Sequence, residues 1–143
     1  MASPEDPAPG RDGFAELIGL EYLSSKDGEV RARVPVTARI CQQFGLVHGG
    51  VYAAIAESMC SAATWLAVHE QGMVAMGQEN SATFLRPIMD GHANAVAVAR
   101  HRGRTSWVWD VNVTDDADRL CAIVRMIVAV RPAPGGTTRG SDS

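Results

Sequence analysis

The chain has 143 residues, a length that suits a single folded domain. Hydrophobic residues make up 46% of the sequence and charged residues 20%, which excludes a disordered or fibrous protein. The formal net charge of -3 argues against a general nucleic-acid binder, which would need a basic excess, so no nucleic-acid partner is expected.

The N-terminal part predicts a tail, a short helix and a hairpin. Residues 1–13 are rich in Pro, Gly and charge, and we expect them to be disordered because they have little apolar surface to bury. Residues 14–18 precede Gly19, a pattern typical of a short helix with a glycine stop. Residues 20–25 and 29–35 flank a Lys-Asp-Gly turn, and the second run alternates apolar with charged residues. We expect an antiparallel hairpin with one solvated face.

A single long helix is predicted from Gly49 to about His69. Beyond its first two residues this stretch contains neither Pro nor Gly and is rich in Ala, Met, Leu and Ile. The many alanines give the helix a narrow body, which a sheet can approach closely on more than one side. We therefore expect a buried central helix.

Four strand-like runs follow, separated by turn residues. Their spacing predicts a four-stranded antiparallel meander over residues 73–85, 92–102, 105–114 and 119–130. The third run places Trp107, Trp109, Val111 and Val113 on one side, so one face of the sheet is apolar. Residues 131–143 are again rich in Pro, Gly and Ser and predict a disordered tail, which leaves residues 14–130 as one domain.

The predicted order is that of an α+β domain in which one long helix packs on a sheet of about six strands. One helix cannot cover a large curved sheet, and an edge strand with unpaired backbone groups favours pairing with a second copy. We therefore expect a homo-oligomer, at least a dimer.

The sequence carries no pattern for targeting, membrane insertion or cofactor binding. We find no signal-peptide pattern and no apolar run of the ~18 residues that cross a bilayer, so we expect a soluble cytoplasmic protein without a membrane partner. The three cysteines are odd in number and lack metal-ligand spacing, and the four histidines are scattered. No GxGxxG motif follows a strand. We expect buried free thiols. We do not expect a metal, a flavin or a nicotinamide cofactor.

The residues that suggest chemistry are concentrated where a loop becomes the long helix. His48-Gly49-Gly50 opens this helix, and glycines there let a ligand approach the first N–H groups, which are unpaired and lie at the positive end of the helix dipole. An oxyanion could be held there. Glu57 follows in an apolar stretch, where a buried carboxylate needs a partner or a function. Ser61, one turn later, can hold that carboxylate or a water, while Gln42 and His48 can add polar contacts.

Each of these features also has an ordinary structural explanation. A His-Gly-Gly at a helix start is often only a turn, and a lone helical Glu is usually solvated. Ser61 can be a small residue packed at a helix interface, and Gln42 a surface side chain. From spacing alone, catalysis and plain structure both stay open.

The segment GLVHGGVYAAIAES, residues 45–58, resembles the helix-opening motif of hotdog-fold acyl-CoA thioesterases of the phenylacetate-pathway (PaaI-like) type. In that family an acidic residue follows the His of the motif by nine positions, as Glu57 follows His48. The similarity covers nearly all of residues 30–132, through the motifs Gly77-Gln78-Glu79-Asn80, Phe84-Leu85-Arg86-Pro87, Trp107-Val108-Trp109-Asp110-Val111 and Val130-Arg131-Pro132. Within the family the chain resembles the 4-hydroxybenzoyl-CoA thioesterases of the Arthrobacter type.

The resemblance implies a hotdog fold, in which a curved antiparallel sheet wraps around the central helix, and a tetramer built from dimers. It also implies hydrolysis of an acyl-CoA without a metal or a separate cofactor, since CoA is part of the substrate. Glu57 would be the catalytic carboxylate, as nucleophile through a mixed anhydride or as general base on water. The N–H of Gly49 would polarise the thioester carbonyl. Gln42 and His48 would position the reacting groups, His48 by orienting the loop, and Ser61 stands where a relative carries Thr.

For the CoA moiety, the resemblance points to Gly50, to Arg86 and to the turn at Arg104 and Thr105, where phosphates can accept charge-assisted hydrogen bonds. The alternative is that the arginines of this hairpin are its solvated side: Arg100, Arg102 and Arg104. Arg104 also stands where the relative has a small hydroxyl residue.

One position at which the chain differs from the hydroxybenzoyl-type enzymes bears on the acyl group. The hydroxybenzoyl-type enzymes carry an acidic residue, able to bind a phenol hydroxyl, where this chain has Ala62. The pocket is then more apolar, and we expect an aromatic (4-hydroxybenzoyl-, benzoyl- or phenylacetyl-like) or medium-chain acyl-CoA. A hotdog acyl dehydratase is one alternative, although His48 precedes Gly-Gly rather than standing in an HFP-like context. A non-catalytic acyl-CoA binding module is the other, and it would need the pocket but not Glu57.

Overall fold

The computed structural model describes residues 13–135 and places two helices and six strands in chain order. They are α1 (Phe14–Leu17), β1 (Glu21–Lys26), β2 (Glu29–Pro35), α2 (Gly49–Val68), β3 (Met73–Phe84), β4 (His92–Arg102), β5 (Ser106–Thr114) and β6 (Leu120–Pro132). Short 3-10 turns lie at Ala38–Ile40 and His69–Gln71.

The ends of the domain differ slightly from the prediction. Strand β6 continues to Pro132, beyond the predicted limit at residue 130, and the N–H of Ala133 donates to the carbonyl of Gly72. Of the predicted tails, residues 1–12 and 136–143 lie outside the described residues. The disorder predicted for those two ranges stays a prediction, whereas the first two residues of the predicted C-terminal tail belong to β6.

All six strands form one antiparallel sheet in the order β1-β2-β4-β5-β6-β3. The predicted α+β class and hotdog architecture are confirmed, but the predicted four-stranded meander is wrong at its first strand. Only β4, β5 and β6 form a meander. Helix α2 carries the chain across the concave side of the sheet, so β3 pairs with the last strand, β6, while β4 pairs with β2.

Helix α2 supplies the centre of the core. Ile55, Ala56, Met59 and Cys60 are completely buried on it. They pack with the alternate inward-facing residues of the strands, such as Val111 of β5, in one hydrophobic cluster. Each large apolar side chain buried in this way stabilises the fold by about 1.5–3 kcal/mol. The sheet and helix are therefore held together along most of the helix length.

The apolar character of this helix exceeds what we expected from the sequence. By length and composition alone, residues 49–71 could cross a membrane. In the fold this segment lies against the sheet and is partly buried, as a core helix is.

Within residues 13–135, strand β3 is an edge strand twelve residues long that pairs with β6 on one side only. Most of its residues are exposed, and Met76 retains 54% of its accessible surface. The pairing with β6 is interrupted by a bulge between Gly77 and Glu79, where Gln78 is the extra residue. A long edge of this kind offers unpaired backbone groups to another strand.

Candidate active site

His48 caps the N-terminus of α2. Its Nδ1 accepts a hydrogen bond from the N–H of Gly50 at 2.9 Å, and its carbonyl accepts from the N–H of Val51 at 2.9 Å. The N–H of His48 itself donates to the carbonyl of Ile40, which ties the preceding loop to the helix start. The side chain thus satisfies one of the free donors of the first helical turn.

The cap gives the two glycines different hydrogen bonding. The N–H of Gly50 is occupied by His48, whereas within residues 13–135 the N–H of Gly49 has no acceptor. That donor lies at the positive end of the helix dipole, where it favours a negatively charged oxygen. Gly49 is therefore the stronger candidate for an oxyanion donor.

Gly49 borders a groove of about 340 Å³ between the helix start and the end of β3. Gln42 and Arg86 also line this groove, so the structure brings together three of the residues singled out in the sequence. The Oε1 atom of Gln42 accepts from the N–H of Phe44, which fixes the turn before the helix. The remaining lining is apolar or aromatic: Leu46, Val47, Tyr52, Phe84, Leu85 and Pro87.

His48 and Gly50 face a second groove, on another side of the helix start, with a volume of about 360 Å³. Its other lining residues belong mainly to α1 and the loop before α2, and include Phe14, Leu17, Arg39 and Cys41. The predicted ligand contact at Gly50 and the one at Gly49 therefore do not share a groove.

The sequence left two alternatives for Glu57, a carboxylate in an apolar environment and a solvated helical side chain. In the structure Glu57 is not buried but exposed, at the rim of the cleft between α2 and β3. The predicted hydrogen bond with Ser61 is not formed either. Among the described residues the Ser61 hydroxyl has no partner, although it is buried.

Three successive turns of α2 lie along β3. Gly49 faces the ring of Phe84, the carbonyl of Ala53 accepts from Asn80 Nδ2 at 2.9 Å, and Glu57 faces Gly77. Gly49 and Glu57 are thus on one side of the helix but eight residues apart, about 12 Å along its axis. A single glutamate side chain does not cover that distance, so one chain does not bring the two groups onto the same atom.

Arg104 and Thr105 lie at the other end of α2. Arg104 lines a groove with Val68 and Gln71, about 28 Å along the helix from Gly49. The carbonyl of Thr105 accepts from the N–H of Val130 and from Arg131 Nη1. Within one chain, neither residue belongs to the groove at Gly49.

The neighbouring arginines agree with the alternative of a solvated hairpin. Arg100 pairs with Asp110 at 3.0 Å, and Arg102 pairs with Asp27 while its guanidinium lies over the ring of Trp107. Both are therefore occupied in structural contacts.

Ala62, on which the prediction of an apolar acyl pocket was based, faces a third groove. This groove lies between α2 and β1 and is lined by apolar residues that include Leu23, Met59 and Leu66. At 100° per residue, Ala62 is about 140° around the helix from Glu57. The two residues therefore do not line one groove.

The buried ionisable groups near the helix are inert. Burial raises the pKa of the Cys60 thiol, so this residue stays protonated and is not a nucleophile. Burial also raises the pKa of Tyr52 to about 12, which keeps its hydroxyl neutral. Within the described part of the chain, no cluster of three or more His, Cys, Asp or Glu side chains could hold a metal ion.

Sequence reasoning missed the residues of β3 that face the helix. Gly77, Asn80 and Phe84 entered only as parts of a resemblance, with no role of their own. A glycine inside a strand pattern is a signal that another group approaches the backbone closely, and that signal was available at Gly77.

The sequence was compared with protein families and with known proteins. A sequence model of the thioesterase superfamily matches residues 44–122, more than half of the chain. The proofreading thioesterase EntH of Klebsiella pneumoniae is 39% identical over 113 residues, which cover 79% of this chain and 82% of EntH.

Solved structures agree with that match. Thioesterase HI1161 from Haemophilus influenzae superimposes with a TM-score of 0.83 at 29% identity, covering 89% of this chain and 88% of its own. A mutant of thioesterase PA1618 from Pseudomonas aeruginosa gives a TM-score of 0.83 at 32% identity, covering 90% and 97%.

Proposed function

This chain belongs to the thioesterase superfamily and is a thioester hydrolase, and we propose that it releases CoA from aromatic or medium-chain acyl-CoA substrates. The candidate acyl groups are 4-hydroxybenzoyl, benzoyl, phenylacetyl and medium-length fatty acyl. The mainly apolar and aromatic lining of the groove beside Gly49 supports an uncharged acyl group. No cofactor is needed beyond the CoA of the substrate.

The observation that carries this proposal is the open N–H of Gly49 beside that groove. It would donate to the thioester oxygen as negative charge develops there in the transition state. His48 supports this donor by capping Gly50 and fixing the loop, and Gln42 orients the thioester from the facing turn. Removing one such donor commonly slows an enzyme ~100-fold or more.

Glu57 would carry out the chemistry. As nucleophile, its carboxylate would attack the thioester carbonyl and expel CoA thiolate, and water would then hydrolyse the mixed anhydride. As general base, it would take a proton from the water that attacks. Both routes yield free acid and CoA. Ser61 would support the carboxylate in the substrate complex.

The separation of Gly49 and Glu57 supports a site built from two copies. A two-fold axis near Ala53 would place Glu57 of one copy opposite Gly49 of the other, since each lies four residues from that point. The free edge of β3 runs beside this part of α2 and could pair with the β3 strand of the second copy. The dimer, and a tetramer built from two dimers, are parts of the proposal.

The same arrangement accounts for the predicted CoA contacts. It would put Arg104 and Thr105 of one copy roughly 16 Å beyond Gly49 of the other, at the end where Arg86 lies. The extended CoA would leave the site in that direction. Its phosphates could then accept charge-assisted bonds from both arginines.

The test is a free-thiol assay on the purified protein with benzoyl-, 4-hydroxybenzoyl-, phenylacetyl- and fatty acyl-CoAs. We expect CoA release from at least one of them and a loss of about 100- to 10 000-fold in Glu57→Ala. Glu70→Ala, which removes an exposed carboxylate just past the end of the same helix, should retain the rate. Equal release with and without the Glu57 carboxylate would refute the mechanism. Binding of acyl-CoA without release would favour the binding module, and dehydration without free thiol the dehydratase.

A further inference from the structure

Gly77 leaves open the space that the Glu57 carboxylate occupies. A Cβ added at Gly77 would lie 2.8 Å from Glu57 Oε1, 3.3 Å from its Cδ and 3.4 Å from its Cγ. The first of these distances is shorter than non-bonded atoms tolerate. Gly77 does not have the positive φ of the seven glycines that show it in the described part of the chain, so its backbone would accept alanine. It is space, and not backbone conformation, that calls for glycine here.

The bulge in β3 explains why this residue faces the helix. Side chains alternate along a strand, and Asn80 and Phe84 face α2 on the even-numbered side. Without an irregularity, Gln78 and the long side chain of Met76 would follow on that side. The extra residue Gln78 reverses the alternation, so Gly77 faces α2 instead and Met76 is turned outward.

We propose that Gly77 is a positioning residue for the catalytic carboxylate: by lacking a side chain, it lets Glu57 lie in the cleft between α2 and β3. The proposal rests on the catalytic function proposed above for Glu57. The atoms nearest to the absent Cβ are the far end of a flexible side chain, so a methyl group at position 77 displaces the carboxylate and leaves the backbone in place. A misplacement of about 1 Å at a reacting group can cost on the order of 100-fold in rate.

The kinetic test compares Gly77→Ala with the wild type. We expect kcat to fall on the order of 100-fold with KM little changed, because the groove at Gly49 is untouched, and the melting temperature not to fall. Met76→Ala, on the opposite face of the same strand, is the matched control and should retain kcat. In the Glu57→Ala background, Gly77→Ala should have no further effect on the residual rate, because both changes act through one carboxylate.

Crystal structures of the wild type and Gly77→Ala give a readout that does not depend on activity. We expect the Glu57 carboxylate to leave the cleft while the backbones of α2 and β3 superimpose. A carboxylate that stays in place, an undiminished kcat, or a loss that persists in full without Glu57 would each overturn the proposal. If the wild type hydrolyses no acyl-CoA, the proposed function fails, whereas the position of the carboxylate still decides the role of Gly77.

Discussion

The ring of Phe84 lies where a side chain on Gly49 would project, with Cε2 and Cζ both 3.0 Å from the position of a Cβ. Phe84 also packs against Tyr52, with ring centroids 5.9 Å apart. The aromatic pair therefore packs beside the first turn of α2, on the side to which a side chain at Gly49 would project. Phe84, near the end of β3, thus lines the same groove as the proposed oxyanion donor.

Gly49→Ala should lower the rate of CoA release on the order of 100-fold, because the methyl group pushes the Phe84 ring into the groove and disturbs the oxyanion donor. The free energy of unfolding should fall by less than the loss of rate would suggest, since alanine favours the helix more than glycine does. A free-thiol assay and urea denaturation measure the two effects. Gly49→Ala combined with Phe84→Ala should recover part of the lost rate, with Phe84→Ala alone as control. A Gly49→Ala enzyme as fast as the wild type would contradict the donor role.

His48→Ala should destabilise the protein by about 1 kcal/mol, because the N–H of Gly50 loses its cap. Asn is a good capping residue, so His48→Asn should restore most of that stability and most of the activity. Thermal denaturation and the thiol assay test this together. If His48→Asn is stable but as inactive as Glu57→Ala, then His48 transfers a proton, and its role is not limited to orienting the loop.

The elements of this fold are readable from the sequence because each depends on local patterns. The alternation in β2 and β5 and the alanine-rich run of α2 placed their bounds within one or two residues. The partner of β3 was not readable, because alternation tells which face a residue takes but not which strand lies beside it. Pairing of β3 with β6 follows from the crossing of α2 over the sheet, which is a tertiary property.

The site shows the same limit. The free N–H of Gly49 could be expected from its place at a helix start, since every helix begins with unpaired donors. The exposure of Glu57 was one of two alternatives that the sequence left open, because it depends on the cleft beside the edge strand. The distance of Arg104 from Gly49 could not be predicted from the sequence either, since it depends on which end of α2 the β4–β5 hairpin meets.

Thr64→Val should reduce the free energy of unfolding by about 1–3 kcal/mol, because it leaves the buried indole N–H of Trp109 without an acceptor. That N–H donates to Thr64 Oγ1 at 3.0 Å, and Oγ1 donates to the carbonyl of Cys60 at 2.7 Å. Thr64→Ser keeps the hydroxyl and should cost less. Urea denaturation followed by tryptophan fluorescence measures both, with Thr83→Val as an exposed control. Equal losses for Val and Ser would show that packing, and not the hydrogen bond, is responsible.

Protonation of Asp115 should lower the stability of the protein in acid. The N–H of Arg119, followed by its guanidinium and the N–H of Ala117, holds the pKa of this carboxyl below its usual range. A lowered folded pKa adds stability that is fully present above the unfolded pKa of about 3.9 and is lost as pH falls through the folded value. Melting temperatures measured from about pH 5 downward should therefore fall less steeply in Asp115→Asn than in the wild type. An Asp115→Asn curve parallel to that of the wild type would contradict the linkage.

Mixed dimers of Glu57→Ala and Gly49→Ala test whether two copies build one site. If Glu57 of one copy acts with Gly49 of the other, a mixed dimer contains one site with both residues intact and one with both replaced. Co-expression with two different tags and purification on both should then yield dimers with about half of the wild-type rate, although each parent is nearly inactive. If both residues act within one chain, every site in the mixed dimer has one replacement. The mixed protein would then be as inactive as its parents, and the 12 Å between Gly49 and Glu57 would have to be bridged by a movement of α2 against β3.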